Sequence, residues 1–172
     1  MMRISVFKHS AELTDTFLSQ MVALGADCID FGRDADMPGV SEQGFPDLDG
    51  VIQLRKRLRS FGIDVNRVTL PNMTERFMND EAGAQAELEN TCQALRVFGE
   101  AGIPIARQRF EGDVFSDQMY RYESVHRGGY RSRGESLGLM KDRPVTPTKA
   151  ELDNWWDHFR RVFDKLVPIA EE

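Results

Sequence analysis

The sequence Ser60-Phe-Gly-Ile-Asp-Val65 passes from the end of an amphipathic segment, through a glycine, into a short apolar run. The same order occurs at Ala23-Leu-Gly-Ala-Asp-Cys-Ile29 and at Glu100-Ala-Gly-Ile-Pro-Ile105. A glycine at this place is typical of a helix C-terminus, because glycine readily adopts the left-handed backbone conformation that ends a helix. The three repeats therefore predict helices that each lead directly into a β-strand.

Strands and helices are predicted to alternate along the whole sequence. Short apolar or alternating runs predict strands at residues 3–8, 28–32, 63–70 and 103–110. Apolar residues at helical spacing predict helices around residues 13–24, 51–61, 84–98 and 152–167. Ser10 is the expected N-cap of the first helix. Thr148-Lys-Ala-Glu151 forms a capping box before the last helix, which Pro168 is expected to kink or end.

This alternation is typical of a parallel sheet covered by helices, which places the chain in the α/β class. The two regular architectures are an open doubly wound sheet and a TIM (β/α)8 barrel. The helix ending at Val167-Pro-Ile-Ala-Glu-Glu172 lacks the glycine and strand that follow each earlier helix. We therefore expect residues 1–172 to be one domain, a (βα)4 parallel half of a TIM barrel that ends before strand five. Its open edges should pair with the missing C-terminal half or with a second copy, which predicts a homo-oligomer.

Composition excludes several classes of function. The chain has 172 residues, enough for one domain, and a net charge of -6, which argues against a dedicated nucleic-acid binder. Neither a signal peptide nor a run of membrane-spanning length is evident, so we expect a cytoplasmic protein that does not bind membranes. The two cysteines, Cys28 and Cys92, are not in C-x-x-C spacing and are interpreted as buried reduced thiols.

Residues 111–147 are predicted to form a loop of unusual length after the fourth strand. Loops this long in a compact domain are usually functional or disordered. The segment combines acids, tyrosines, a histidine, a glycine pair and several arginines, among them His126, Tyr130 and Arg131. We expect it to cover a binding site, although a solvated flexible loop is the simpler alternative.

Candidate site residues follow from the rule that parallel α/β folds bind ligands at the carboxyl ends of their strands. Applied here, the rule selects His9, Arg33, Asp34, Asn72, Arg107, Arg109, Glu111 and Asp113. The guanidinium groups of Arg107 and Arg109 suit a carboxylate or a phosphate. Two structural alternatives stay open. The two arginines could pair with Asp30 and Glu111, and His9 could belong only to the start of the first helix.

Familiar catalytic motifs are absent from the sequence. There is no glycine-rich dinucleotide fingerprint after the first strand and no P-loop. No Ser-His-Asp set is supported, and the three histidines have no recognisable metal-ligand spacing. The catalytic residues are therefore unknown, and no metal site is expected within this chain.

Three stretches nevertheless resemble the mannonate dehydratase family, which belongs to the xylose isomerase-like barrels. They are Leu58-Arg-Ser-Phe-Gly-Ile-Asp-Val65, Ala101-Gly-Ile-Pro-Ile105 and Leu166-Val-Pro-Ile-Ala-Glu-Glu172. The similarity spans most of the chain, corresponds to the N-terminal half, and rests mainly on scaffold motifs. The family's closing helix runs on into a strand with a His-Pro segment, which this sequence does not reach.

The resemblance implies a metal-dependent dehydration of D-mannonate to 2-keto-3-deoxygluconate in hexuronate breakdown. It also implies a divalent metal, manganese foremost, held by His, Cys and Asp side chains of the second half of the barrel. The fourth strand departs from better-known members, which continue into an aromatic, Asn-containing run where this chain has Ala106-Arg-Gln-Arg-Phe110. For a sugar-acid substrate, we assign binding and lid closure to His9, Arg107, Arg109, His126, Tyr130 and Arg131.

Three other functions remain open. One is a sugar or sugar-phosphate isomerase or epimerase on the same barrel. Another is a noncatalytic half-barrel that binds a sugar acid or a partner chain. The last is an α/β domain whose long loop is merely solvated and would be cut rapidly by proteases.

Overall fold

A computed structural model gives the fold and describes residues 3–111, 120–129, 131–136 and 147–172. One parallel sheet has the order β1-β2-β3-β4, with β1 Ser5–Phe7, β2 Cys28–Asp30, β3 Asp64–Thr69 and β4 Ile105–Arg107. The helices are α1 Asp15–Ala23, α2 Val40–Gln43, α3 Leu48–Ser60, α4 Glu75–Met78, α5 Ala84–Glu100 and α6 Lys149–Glu171. The predicted α/β half-barrel of four βα units is confirmed, with α1, α3, α5 and α6 as its long helices.

The glycines of the repeated motif end the helices as expected. Gly25, Gly62 and Gly102 have φ angles of 89°, 88° and 71°, which is the left-handed region that side chains with a Cβ avoid. Each glycine lets the chain reverse at once into the next strand. This local geometry explains why the helix-glycine-strand order could be recognised from sequence.

The predicted N-cap of α6, near the C-terminus, is confirmed, whereas that of α1, near the N-terminus, is not. The capping box of α6 is confirmed, because the Glu151 amide donates to Thr148 Oγ1 at 3.2 Å while the Thr148 amide donates to Glu151 Oε2 at 2.7 Å. The assignment of Ser10 as the cap of α1 is wrong. Thr14 caps that helix by accepting from the Phe17 amide at 3.1 Å. Ser10 instead begins a 3-10 turn, and its amide donates to a carboxylate elsewhere in the chain.

Pro168 does not end α6, because the helix continues to Glu171. A proline inside a helix removes one backbone hydrogen bond. Val162 and Leu166 are buried on the preceding turns and anchor the helix against the core, which offsets that loss.

The two faces of the sheet have different environments. Val6, Ile29, Val65 and Val68 point toward the helices and belong to or pack against the core. On the opposite face the strand register aligns Phe7, Asp30, Arg67 and Ile105 in one row. Phe7 is 54% exposed and Ile105 is 47% exposed, so this face presents apolar and charged groups to solvent.

The segment predicted as one long loop contains a β-hairpin, so the loop prediction is wrong for its described part. Strand β5 Tyr120–Val125 pairs antiparallel with β6 Arg131–Ser136 in a separate two-stranded sheet. The turn between them uses Gly128 and Gly129 at φ angles of 81° and 79°. An alternating run followed by a double glycine is a hairpin signal, and it was available in the sequence.

Aromatic side chains fix the segment after β4 against α6. Phe110 stacks on Phe159 with ring centroids 5.4 Å apart, and Phe159 also lies 4.4 Å from Phe163 and 5.5 Å from Trp155. Such ring contacts add to the burial of apolar surface. No helix in the described part of the chain is long and apolar enough to cross a membrane.

Candidate functional site at the carboxyl ends of the strands

The four parallel strands end at the same edge of the sheet, which we call the carboxyl edge. His9 and Arg33 follow β1 and β2, while Arg107 ends β4 and Arg109 follows it. Adjacent strands lie about 4.8 Å apart, so β1 and β4 are separated by about 14 Å along the sheet. The predicted residues therefore form two clusters, one after β1 and β2 and one after β4.

The first cluster is built around the buried carboxylate of Asp36. This side chain is 5% exposed and accepts from the Ser10 amide at 3.2 Å. Its Oδ2 lies 3.1 Å from His9 Nδ1, and Arg33 Nε lies 3.1 Å from the same ring nitrogen. The guanidinium of Arg33 also reaches to 3.9 Å from Asp36 Oδ1. His9 is thus more than a helix start, because it joins the loops that follow two strands.

Asp36 was not among the residues selected from the sequence. It ends the 3-10 turn Asp34–Asp36, and nothing in its neighbours along the chain marks it as buried. Its burial depends on packing between the loops after β1 and β2. The adjacent acid Asp34, which the sequence did select, has no such set of contacts among the described residues.

Asp30 binds a different arginine from the one expected. Its carboxylate accepts from Ser5 Oγ at 2.7 Å and from Asn66 Nδ2 at 2.9 Å, and it lies 3.3 Å from Arg67 Nη2. The alternative in which Asp30 neutralises Arg107 or Arg109 is therefore wrong. Strand register explains the difference, because Arg67 stands directly beside Asp30 in the parallel pair.

The second cluster lies where the chain leaves β4. Backbone hydrogen bonds hold this segment against the one after β3: the Met73 amide donates to the Arg109 carbonyl at 3.0 Å, and the Glu111 amide donates to the Met73 carbonyl at 2.7 Å. Glu111 accepts from Asn72 Nδ2 at 2.8 Å. Within the described residues, neither Arg107 nor Arg109 forms an ion pair with a carboxylate. Among the described residues, no carboxylate therefore neutralises their charges.

The candidate residues of the long segment lie on the hairpin. His126 Nε2 is 2.6 Å from Ser132 Oγ, and Arg131 donates to Glu123 Oε2 at 2.8 Å. Both residues are exposed and contact partners of the same hairpin. Tyr130 lies outside the described residues. The part of the hairpin that the structure describes thus has its own internal contacts.

A divalent metal does not fit the described residues alone. Over residues 3–111, 120–129, 131–136 and 147–172, no three His, Cys, Asp or Glu side chains lie close enough to hold one. The cysteines are both free thiols, with Cys28 buried and Cys92 half-buried. Burial raises the pKa of the Cys92 thiol, which favours the protonated form.

Neither a protein-family model nor a curated protein matches the chain. Among solved structures it is similar to the mannonate dehydratase from Streptococcus suis serotype 2, with a TM-score of 0.72 at 19% sequence identity. The chain shares its fold with that enzyme. The similarity covers 99% of this chain and 51% of the enzyme, so the chain spans about half the enzyme's length.

The comparison confirms the resemblance at the level of the fold. The four βα units follow the architecture of a barrel half, and the coverage is consistent with an N-terminal half.

Proposed function

We propose that this chain forms the N-terminal, substrate-binding half of a sugar-acid lyase that dehydrates D-mannonate to 2-keto-3-deoxygluconate. The observation that carries the proposal is the position of Arg107 and Arg109, whose guanidinium groups lack a carboxylate partner among the described residues. They stand at the carboxyl edge of a half-barrel, where this fold binds ligands. A sugar acid presents the planar anion that arginine recognises.

The proposed reaction divides its chemistry between the two halves of a barrel. A divalent metal, manganese by resemblance, would take His, Cys and Asp ligands from the second half and stabilise charge that develops next to the carboxylate. This half would bind and orient the sugar acid through Arg107, Arg109 and His9. The hairpin residues His126, Tyr130 and Arg131 would help to exclude water from the bound substrate.

The partner in this proposal is a second barrel half, either from a separate C-terminal segment or from another copy of the chain. Exposed Phe7 and Ile105 on the open face favour such a partner, because burial of apolar surface stabilises association. The proposed location is the cytoplasm, where the sugar acids of catabolism occur as small soluble substrates.

Calorimetric titration with D-mannonate tests the proposal. We expect saturable binding that weakens about tenfold or more in Arg107→Met or Arg109→Met, because each change removes a charge-assisted hydrogen bond. Arg160→Met is the matched control, since Arg160 is an exposed arginine of α6 whose ion pair is with Asp157.

Unchanged affinity in both arginine variants would overturn the assignment. Turnover by the complete barrel, with its second half present, then separates the enzyme classes. With manganese present, formation of a 2-keto-3-deoxy acid supports the lyase. Conversion of a neutral sugar or a sugar phosphate instead would indicate an isomerase or epimerase.

A further inference from the structure

The Nδ1 atom of His9 lies within 3.1 Å of two groups that make opposite demands on it. Asp36 offers a carboxylate oxygen, which can only accept a hydrogen bond. Arg33 offers an Nε–H, which can only donate one. A ring nitrogen carries either a proton or a lone pair, so His9 can satisfy only one of these neighbours at a time.

We propose that Arg33 joins Arg107 and Arg109 in binding the one carboxylate of an acidic substrate, and that its departure from His9 lets Asp36 fix His9 with the proton on Nδ1. This inference rests on the proposed function, because it assigns two further residues to the same sugar-acid site. Arg33 becomes a binding residue, and Asp36 becomes a positioning residue that acts through His9.

The burial of Asp36 makes its hydrogen bond from His9 energetically important. The Asp36 side chain is only 5% exposed, so water cannot readily replace a missing hydrogen-bond donor. The Ser10 amide donates only to Oδ1. Oδ2 depends on Nδ1–H of His9. An unsatisfied buried acceptor is costly, so once Arg33 has left, the arrangement in which His9 donates to Asp36 is favoured.

Arg33 is the partner that can leave. Its side chain is 58% exposed, and its nearest carboxylate contact is the long one of 3.9 Å to Asp36. An external carboxylate can accept two parallel hydrogen bonds from the guanidinium, a geometry that Asp36 does not offer. Anion binding therefore competes directly with the contact between Arg33 and His9.

Release of Arg33 leaves His9 with a hydrogen-bond acceptor, the lone pair on Nε2, that a substrate can use. With the proton on Nδ1 and shared with Asp36, the neutral ring keeps its lone pair on Nε2. Within the described residues Nε2 has no hydrogen-bond partner. It can therefore accept a hydrogen bond from a substrate hydroxyl beside the bound carboxylate. Phe7 supports this ring orientation through an edge contact with ring centroids 5.4 Å apart.

Nitrogen-15 NMR of the ring nitrogens tests the competition directly, since the chain has only three histidines to assign. Without any ligand, Arg33→Met should increase the population of His9 with the proton on Nδ1. Addition of D-mannonate to the unsubstituted chain should shift His9 in the same direction. In Arg33→Met the ligand should leave the His9 spectrum nearly unchanged and bind about tenfold more weakly or worse.

Two further variants test whether Asp36 positions the His9 ring or only stabilises the fold. Asp36→Asn keeps the size of the side chain, removes its charge, and should abolish the ligand-induced shift of His9 while the chain stays folded. Arg160→Met, on exposed α6 surface, should behave as the unsubstituted chain.

The inference fails if Arg33→Met leaves both the ligand-free His9 spectrum and the affinity unchanged. Its failure is distinguishable from that of the proposed function. If Arg107→Met weakens binding while Arg33→Met does not, the sugar-acid site stands and the role of Arg33 is wrong. If D-mannonate does not bind at all, the proposed function fails, and the ligand-free comparison of the two chains still decides whether Arg33 and Asp36 compete for His9.

Discussion

Arg55 and Asp64 join α3 to β3 through two hydrogen bonds, from Nε to Oδ1 at 2.8 Å and from Nη2 to Oδ2 at 3.1 Å. The same guanidinium donates to the Ala101 carbonyl at the turn that precedes the fourth strand. A single arginine thereby ties together two of the three helix-glycine-strand connections. Arg59 donates to the same carboxylate at 2.8 Å.

The first prediction concerns the acid stability of the chain. Burial raises the pKa of Asp64, but hydrogen bonds from Arg55 and Arg59 outweigh this effect and hold the pKa well below its usual range. Because the pKa of Asp64 is lower in the folded than in the unfolded chain, its ionised carboxyl stabilises the fold above about pH 4, and this contribution declines progressively as the pH falls from about 4 through the folded-state pKa. Urea unfolding from pH 7 to pH 3 should show Asp64→Asn losing about 2 kcal/mol at pH 7 and a smaller amount at pH 3.

Asp153→Asn is the control for that series, because its exposed ion pair with Lys149 should contribute little at any pH. An equal loss for Asp64→Asn at both pH values would contradict the assigned role of the carboxylate.

The second prediction concerns backbone strain at Asp80, which has a φ angle of 53°. Its carboxylate accepts from Arg161 at 2.6 Å and lies 3.1 Å from His158 Nε2, so α6 holds this turn in place. Asp80→Ala and Asp80→Gly both remove these contacts, but only alanine keeps the steric cost of the left-handed backbone. We expect the glycine variant to be about 1 kcal/mol more stable in urea unfolding. Equal stability, or a more stable alanine variant, would show that the strain is relieved by a shift of the turn.

The third prediction compares two glycines with close neighbours. A Cβ at Gly32 would lie 2.0 Å from the Phe7 ring, which is exposed and can move away. A Cβ at Gly39 would lie 2.6 Å from the Asp47 backbone nitrogen, and its φ angle is 89°. Gly39→Ala should therefore be destabilised by about 2 kcal/mol or more, whereas Gly32→Ala should lose about 1 kcal/mol or less. Thermal unfolding followed by circular dichroism measures both variants side by side, and the reverse order would be evidence against this account.

The fourth prediction concerns the aromatic contacts that fix the segment after β4. Phe159→Ala removes the ring that stacks on Phe110 and packs beside Trp155 and Phe163. The loss should cost about 2–3 kcal/mol and change tryptophan fluorescence in the folded state. Val167→Ala, at a half-exposed position of the same helix, should cost far less. A fluorescence spectrum unchanged in Phe159→Ala would mean that Trp155 does not depend on this ring.

Local signals account for the parts of the fold that could be predicted from the sequence. Gly25 marks a helix end by its own backbone preference, and Thr148 with Glu151 forms a cap within four residues. Such features need no knowledge of the rest of the chain. Ser10 illustrates the limit, because two residues could cap α1 and the choice depends on Asp36, which takes the Ser10 amide.

The candidate site was predictable only in part, for the same reason. The rule of carboxyl strand ends selected His9, Arg107 and Arg109, and the structure has all three at the carboxyl edge of the sheet. It could not pair them with partners, since Asp36 is buried only through tertiary packing and Asp30 is matched to Arg67 by strand register. The length of the segment predicts a loop, whereas its alternation and double glycine predict the hairpin, and the local signal is the one that the structure follows.

The edge strands of the sheet are β1 and β4. They run parallel to each other, and they form two different edges. Copies of the chain that continue the sheet with all strands parallel must therefore join unlike edges, β4 of one to β1 of the next. Such head-to-tail contacts either close into a ring or continue as an open fibre. Two four-stranded units would give the eight strands of a closed barrel, and the curvature of each unit decides whether assembly stops at two copies or grows with concentration.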